Sequence, residues 1–221
     1  MASVPNPDWL YLLREFDLLY RRGSAGGSKP IRTHMRQVRG RIARLVRQPL
    51  RHLPRDPYHL PVSAHWPRAI DLALPERTGS FARLLDRLAS TFTWEYGYAK
   101  VPGNLRDAYA FTELAGPRGP IAVDDLILGL VLFAPRCVYP QHRHTGITES
   151  YVVVSGTLSE NDVGVYAPGS LIFNPPNHFH RITVGDREPC LLAYAWVGEA
   201  QDLAAPHMIF ERAQSRLASG K

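Results

Sequence analysis

Ten consecutive residues, His142-Arg-His144-Thr-Gly-Ile-Thr-Glu149-Ser-Tyr151, carry two imidazoles, a carboxylate and a phenol. In an extended strand, residues i and i+2 point to the same face. His142 and His144 therefore share one face of a strand. Glu149 and Tyr151 share one face of the next, across the Thr145–Thr148 turn. If both faces look inward, the four groups meet in one interior. His180 follows another short apolar strand, Ser170–Asn174, and can complete the set. Three imidazoles and one carboxylate are an ordinary ligand set for a divalent transition metal. Iron, manganese, zinc, cobalt and nickel all accept it, so the donors alone do not choose the ion. A lone His-x-His is usually surface or core chemistry. Burying a carboxylate beside imidazoles without a cation, however, costs several kcal/mol. The ordered set in an otherwise apolar strand pattern is what points to a metal.

From about residue 94, short apolar or alternating runs are separated by Gly, Pro and Asp turns. They are Leu126–Ala134, Val138–His144, Glu149–Ser155, Val163–Tyr166, Ser170–Phe173, Arg181–Val184 and Leu191–Val197. This pattern predicts an antiparallel barrel or sandwich. Before it the periodicity is helical. Trp9, Leu12, Leu13, Phe16, Leu19 and Tyr20 mark an amphipathic helix over 8–22, with Asn6 or Asp8 as its cap. A glycine-rich turn, Gly23–Ser28, ends it. A second helix is expected over Thr33–Gln48, then a Pro-rich loop over 49–67, then a third helix over Ser80–Phe92. The segment Gln201–Lys221 reads as partly helical. The expected organisation is a helical region over 1–93 packing on a barrel domain over 94–221.

The chain has 221 residues, 45% hydrophobic and 21% charged, which is ample for a core. It carries no membrane-length apolar run and no signal-peptide pattern at its start. Cys137 and Cys190 lie in strand-like sequence, as buried reduced thiols would. These features predict a cytoplasmic protein. The net charge of +6 is uneven: residues 1–60 alone hold twelve basic and four acidic residues. An Arg-rich stretch over 32–51 could be a nucleic-acid footprint. It lacks interleaved aromatics and a helix-turn-helix partner, so a solvated helix face is expected, with no nucleic acid and no membrane as partner. Gly23–Lys29 imitates a phosphate loop and fails as one. Ser28 stands where the glycine before Lys29 is needed, Pro30 replaces Ser/Thr, and the stretch follows a helix.

The metal constellation resembles the cupin superfamily. Its first motif is HxH, a short spacer, then Glu; here His142, His144 and Glu149, followed by Gly156. The second is a PxG-like turn followed by His; here Pro168-Gly169, then Asn174-Pro-Pro-Asn-His178-Phe-His180. That second motif departs from the pattern, since Pro168 and Gly169 are adjacent and no Asn follows His180. Three further features resemble the cupin dimethylsulfoniopropionate (DMSP) lyases over roughly residues 94–200. These are Tyr139 just before HxH, Glu149-Ser-Tyr151 after it, and a late apolar strand ending in Trp196. The resemblance implies a mainly β fold, a cupin double-stranded β-helix or jelly-roll barrel with an N-terminal α-helical extension.

It also implies a reaction: loss of dimethyl sulfide from DMSP by β-elimination, leaving acrylate. A metal holding the substrate carboxylate acts as Lewis acid, and a tyrosine beside it acts as general base. Tyr151 is the first choice because it shares the face of Glu149; Tyr139 is second, because Pro140 blurs its strand parity. The zwitterionic sulfonium substrate suits an aromatic wall, for which Trp94, Tyr96, Tyr98 and Trp196 are the candidates. Two other readings use the same residues: an iron-dependent cupin dioxygenase, and a ligand-sensing cupin regulator with a basic DNA-binding N-terminal region. A homodimer is one arrangement the sequence leaves open.

Overall fold

In the computed structural model, which describes residues 6–23, 27–98 and 100–211, the first apolar stripe forms α1 (Asp8–Arg22). The Asn6 side chain accepts the Asp8 N–H at 3.0 Å and caps it. The glycine-rich turn after α1 falls partly on residues 24–26, outside the described residues. The next helix, α2 (Lys29–Leu45), begins earlier than Thr33. Ser28 is extended at its N-cap, and Pro30 fits the first turn, where its missing N–H costs nothing. The Pro-rich segment is not all loop. A 3₁₀ turn covers Pro61–His65, and α3 (Trp66–Ala73) starts with Pro67 in its first turn. Proline reads as a breaker along the chain, but at a helix start it is a fitting residue. The helix α4 (Gly79–Leu88) ends in a 3₁₀ turn at Ala89–Thr91, as Leu88 and Phe92 close its apolar face.

The strands follow as β1 (Tyr109–Gly116), β2 (Ile121–Ala122), β3 (Leu126–Phe133), β4 (Val138–His144), β5 (Thr148–Ser155), β6 (Leu158–Glu160), β7 (Val165–Tyr166), β8 (Leu171–Asn174), β9 (His180–Val184) and β10 (Cys190–Val197). A short α5 (Ala200–Ala204) precedes β11 (Met208–Phe210), a strand in a segment that reads as helical in sequence. Residues 212–221 of that segment lie outside the described residues. One sheet runs β2-β1-β3-β10-β5-β8, the other β11-β4-β9-β6-β7. Facing each other, they form the cupin barrel.

Both faces of the six-stranded sheet are buried, and strand parity divides them. Leu128, Leu130, Val152, Val154, Leu191 and Ala193 face outward into a core shared with the helices. Ile127, Val131, Phe133, Tyr151, Val153, Tyr194 and Trp196 face the barrel interior. This is why β3, β5 and β10 read as nearly unbroken apolar runs instead of an alternation. The helical cover is anchored by Phe16 of α1 and Phe81 of α4, both fully buried, with ring centroids 4.9 Å apart edge to face. Polar ties supplement it. Thr78 donates to the Val154 carbonyl at 2.8 Å. Ser150 Oγ, on the outward face of β5, lies 2.7 Å from both Tyr20 OH and His34 Nε2. The arginines of α2 are in part spoken for: Arg39 pairs with Asp17, and Arg41 and Arg44 both reach Asp125. Cys137 and Cys190 are free and buried, and burial pushes the Cys137 thiol up to about 12. Among the described residues no helix is long and apolar enough to cross a membrane.

Two outcomes follow from this packing. Phe81→Ala removes a fully buried ring and is expected to cost about 3–5 kcal/mol, read as a fall of roughly 2–4 °C in Tm per kcal/mol. His34 is buried, and burial, then Arg41, holds it down to about 4 against an ordinary 6.5. Between those pH values the unfolded chain takes up this proton and the folded chain does not. Stability therefore falls as pH drops through that window, by roughly 3 kcal/mol from this group alone. Urea midpoints of His34→Gln should decline less steeply than wild type over the same window; equal slopes would show that His34 is not the group responsible.

Candidate metal and active site

The four expected ligands converge. His142 and His144 come from β4, Glu149 from β5 and His180 from the first position of β9. Each is at most 4% exposed, and one ligand atom from each lies within 4.8 Å of all the others. Register explains the meeting: β4 and β9 are antiparallel neighbours that set His142 directly opposite His180. Their ring centroids are 4.1 Å apart. His178, two residues earlier, is exposed.

Hydrogen bonds orient the set. A carbonyl can only accept, so the 2.9 Å contact of His142 Nδ1 with Pro140 O and the 3.2 Å contact of His180 Nδ1 with His178 O place the ring hydrogens on Nδ1. Both Nε2 lone pairs are then free to face the cluster. Glu149 Oε1 accepts two donors, Tyr151 OH at 2.6 Å and Trp196 Nε1–H at 2.7 Å. Its other oxygen, Oε2, lies 2.8 Å from His180 Nε2. Without an ion, His144 Nε2, His180 Nε2 and Glu149 Oε2 are buried with no hydrogen-bond partner. Three orphaned lone-pair atoms aimed at one point, in a buried N₃O donor set, fit a divalent transition ion.

The charges of the protein itself shape the site. Burial pushes His142 down to about 3, helped by His180, and burial also lowers His144. Burial alone would raise Glu149, but His144 and His180 outweigh it and hold the carboxyl well below its usual range. His180 ends above its ordinary value, because Glu149 outweighs the effect of burial. Burial holds His142 and His144 neutral, ready to act as ligands, while Glu149 is the anion and favours a proton on His180 that a bound cation would replace.

Parity fails at one informative place. Tyr139 and His142 both point inward, although they are three positions apart, an odd spacing. The β4–β9 register slips by one residue between them, a bulge at Pro140-Gln141. Pro140, which has no N–H to contribute to a ladder, belongs at such a break. Both tyrosines thereby reach the same cavity, of about 360 Å³, which also meets His142, His144 and Glu149. Tyr139 OH lies 3.4 Å from Tyr109 OH and 3.7 Å from Met208 Sδ, with one hydrogen to donate to either. Burial raises both phenols well above 10, with Glu149 adding for Tyr151 and Tyr109 for Tyr139.

Of the four aromatic residues expected to face the substrate, Tyr98 and Trp196 line the cavity and Trp94 and Tyr96 do not. Glu95 turns toward the cavity as it bridges to Phe111, so its neighbours turn away. Trp94 packs with Trp66 and Phe92 on the helical side. Tyr96 donates its hydroxyl to the Arg106 carbonyl at 2.6 Å. The cavity has other walls that the sequence reading passed over: Tyr109, Phe133, Tyr194, Met208 and Phe210. Tyr194 shares the parity of Trp196 and was available from spacing. Tyr109 lies in β1, whose Ala, Glu and Gly content weakens the strand signal, and Phe210 in a three-residue strand.

Comparison with known proteins agrees with this geometry. A family profile for dimethylsulfoniopropionate lyase matches residues 33–192. A protein of Cereibacter sphaeroides, provisionally named dimethylsulfoniopropionate lyase DddL, is 55% identical over 202 residues, 91% of this chain and 87% of that protein. The crystal structure of the DMSP lyase DddQ from Ruegeria pomeroyi has the same fold: TM-score 0.68 over 93% of this chain and 96% of that one, at 22% identity. A chain from the crystal structures of the DMSP lyases RdDddP and RnDddQII aligns with TM-score 0.66 over 93% of this chain and 98% of its own length, at 20% identity. The chain belongs to the dimethylsulfoniopropionate lyase family: it is a lyase built on a cupin barrel.

Proposed function

We propose that the protein cleaves dimethylsulfoniopropionate by β-elimination, giving dimethyl sulfide and acrylate, with Tyr151 as general base. The observation that supports this most is the placement of Tyr151, whose hydroxyl faces the cavity 2.6 Å from Glu149 Oε1, in a chain of this family. In the reaction the base removes the proton next to the carboxylate. The C–H electron pair becomes the new C=C bond, and the C–S bond breaks with its electrons leaving on dimethyl sulfide. The carbon acid is weak, so charge building toward the carboxylate has to be stabilised.

His142, His144, Glu149 and His180 would hold one divalent ion; when bound, it supplies positive charge for the carboxylate and for an anionic phenol oxygen. Glu149 has a second role through Oε1, which fixes the Tyr151 hydroxyl and the Trp196 indole at once. Burial, and after it the charge of Glu149, keeps the proton on Tyr151, so the phenol needs a positive charge beside it to become a base. Tyr139, on the adjoining wall, orients substrate or takes the base role in its place. Trp196 and Tyr98 border the space for substrate, and Trp94 and Tyr96 act only through packing. The helices of residues 1–93 serve as cover for the barrel of 94–221, with no nucleic acid as partner, and the enzyme works in the cytoplasm.

Headspace gas chromatography after adding DMSP to the purified protein tests the reaction. Dimethyl sulfide without oxygen uptake is expected; oxygen consumption with no dimethyl sulfide would instead favour a dioxygenase.

For the ligand set, metal analysis of single alanine variants should show loss of the ion in His142→Ala, His144→Ala, Glu149→Ala and His180→Ala. His178→Ala should retain it. Full occupancy in His180→Ala together with loss in His178→Ala would reverse the assignment.

For the base, Tyr151→Phe should keep the metal and lose about 10²- to 10⁴-fold in kcat, because the ring stays and the ionisable oxygen goes. Near-wild-type turnover in Tyr151→Phe with an inactive Tyr139→Phe would pass the base role to Tyr139.

A further inference from the structure

We infer that the aromatic end of the cavity, formed by Tyr98, Tyr109, Phe133, Tyr139 and Phe210, is a cage for a methylated onium group, so that the site also binds trimethylammonium carboxylates of the substrate's length. The inference rests on the reading of this cavity as the substrate site and extends it from one sulfonium to a ligand class. All five rings line the cavity. They come from distant points of the chain, and neighbouring ring centroids lie 4.5–6.2 Å apart. The cluster starts where the ligand set stops: Tyr139 and Phe210 lie 4.9 and 6.0 Å from the His142 ring. A short zwitterion would thus have its carboxylate toward the histidines and its cation among the rings.

Charge supports this polarity. The carboxylates lining the cavity are Glu149, in the histidine cluster, and Glu95, which accepts from Arg55; the guanidinium lining it, Arg118, reaches Glu113. Each of these charges already has a partner, so a cation among the five rings is met by ring faces and phenol oxygens. The Tyr98 hydroxyl oxygen is buried without a partner and is one such group. Ring faces attract the diffuse positive charge of polarised methyl groups. They hold no feature that separates sulfur from nitrogen at the centre of those methyls. The residue that closes the cage is Phe210 of β11, whose ring stacks on Tyr98 at 5.3 Å and 22°. Pairing of β11 with β4 places it there, with Phe210 opposite His142.

The test uses two non-reacting probes of one shape: the trimethylammonium analogue of propionate, and its neutral counterpart with carbon in place of nitrogen. Calorimetry on the metal-loaded protein, alongside inhibition of dimethyl sulfide release, compares them. The cation is expected to bind ~3- to 30-fold tighter than the neutral acid. Phe210→Leu should shrink that preference several-fold and leave the neutral acid's affinity nearly unchanged. Equal affinity of the two probes for wild type would overturn the cage, as would an undiminished preference in both Phe210→Leu and Tyr98→Leu. The reaction is judged separately. Preference without dimethyl sulfide release keeps the cage and removes the lyase reading, whereas release without preference removes the cage alone.

Discussion

The interior of this barrel is organised around one costly act, the burial of Glu149 among three imidazoles. A carboxylate withdrawn from water costs several kcal/mol unless every lone pair is met. Here the arrangement divides the work between the two oxygens. Oε1 is satisfied by the Tyr151 hydroxyl and the Trp196 indole, and Oε2 is turned toward His180. Among the buried polar atoms left unmet, His144 Nε2, His180 Nε2 and Glu149 Oε2 stand together in this one cluster. The same two hydrogen bonds lock a phenol and an indole at the cavity wall, so solving the burial problem also assembles the site.

That solution requires strands that do not slide. In a strand with a wet face, a slipped register exchanges core for solvent; in β3, β5 and β10 both faces are dry. Even so, a one-residue slip in β5 would carry Glu149 to the helical side and Ser150 into the site. The outer face opposes this. Ser150 meets Tyr20 and His34, and Val152 and Val154 meet the helices. The N-terminal helices thereby bear on the buried cluster without touching it: they hold the register of the strand that carries Glu149 and Tyr151. The bulge in β4 is the complementary device, since it gives up one ladder position to bring Tyr139 and His142 onto one side.

Residues near in sequence made the buried His/Glu cluster legible. A period of two is a local property of an extended chain, so His142 with His144, and Glu149 with Tyr151, could be paired from spacing alone. The helical stripes of α1 and α4 were legible for the same reason, a period of 3.6 written into neighbouring residues. The aromatic wall was half misread because which face of the segment 94–98 looks inward depends on where Glu95 bridges to Phe111, and no local spacing encodes that bridge. Phe210 was invisible for a related reason: three residues form a strand only because β4 presents a free edge to them.

The amino-acid sequence by itself determined the donor types, their pairing on strands, the cupin architecture and, through its motifs, the family. Tertiary structure alone decided that His180 stands opposite His142, that Tyr139 reaches the cavity through a bulge, that Trp94 faces the helices, and that a C-terminal strand closes the aromatic end. The division has one physical cause. Side-chain direction along a strand follows from backbone geometry within a few residues. Which strands become neighbours, and in what register, is settled only when the apolar faces of the two sheets and the helices are buried together.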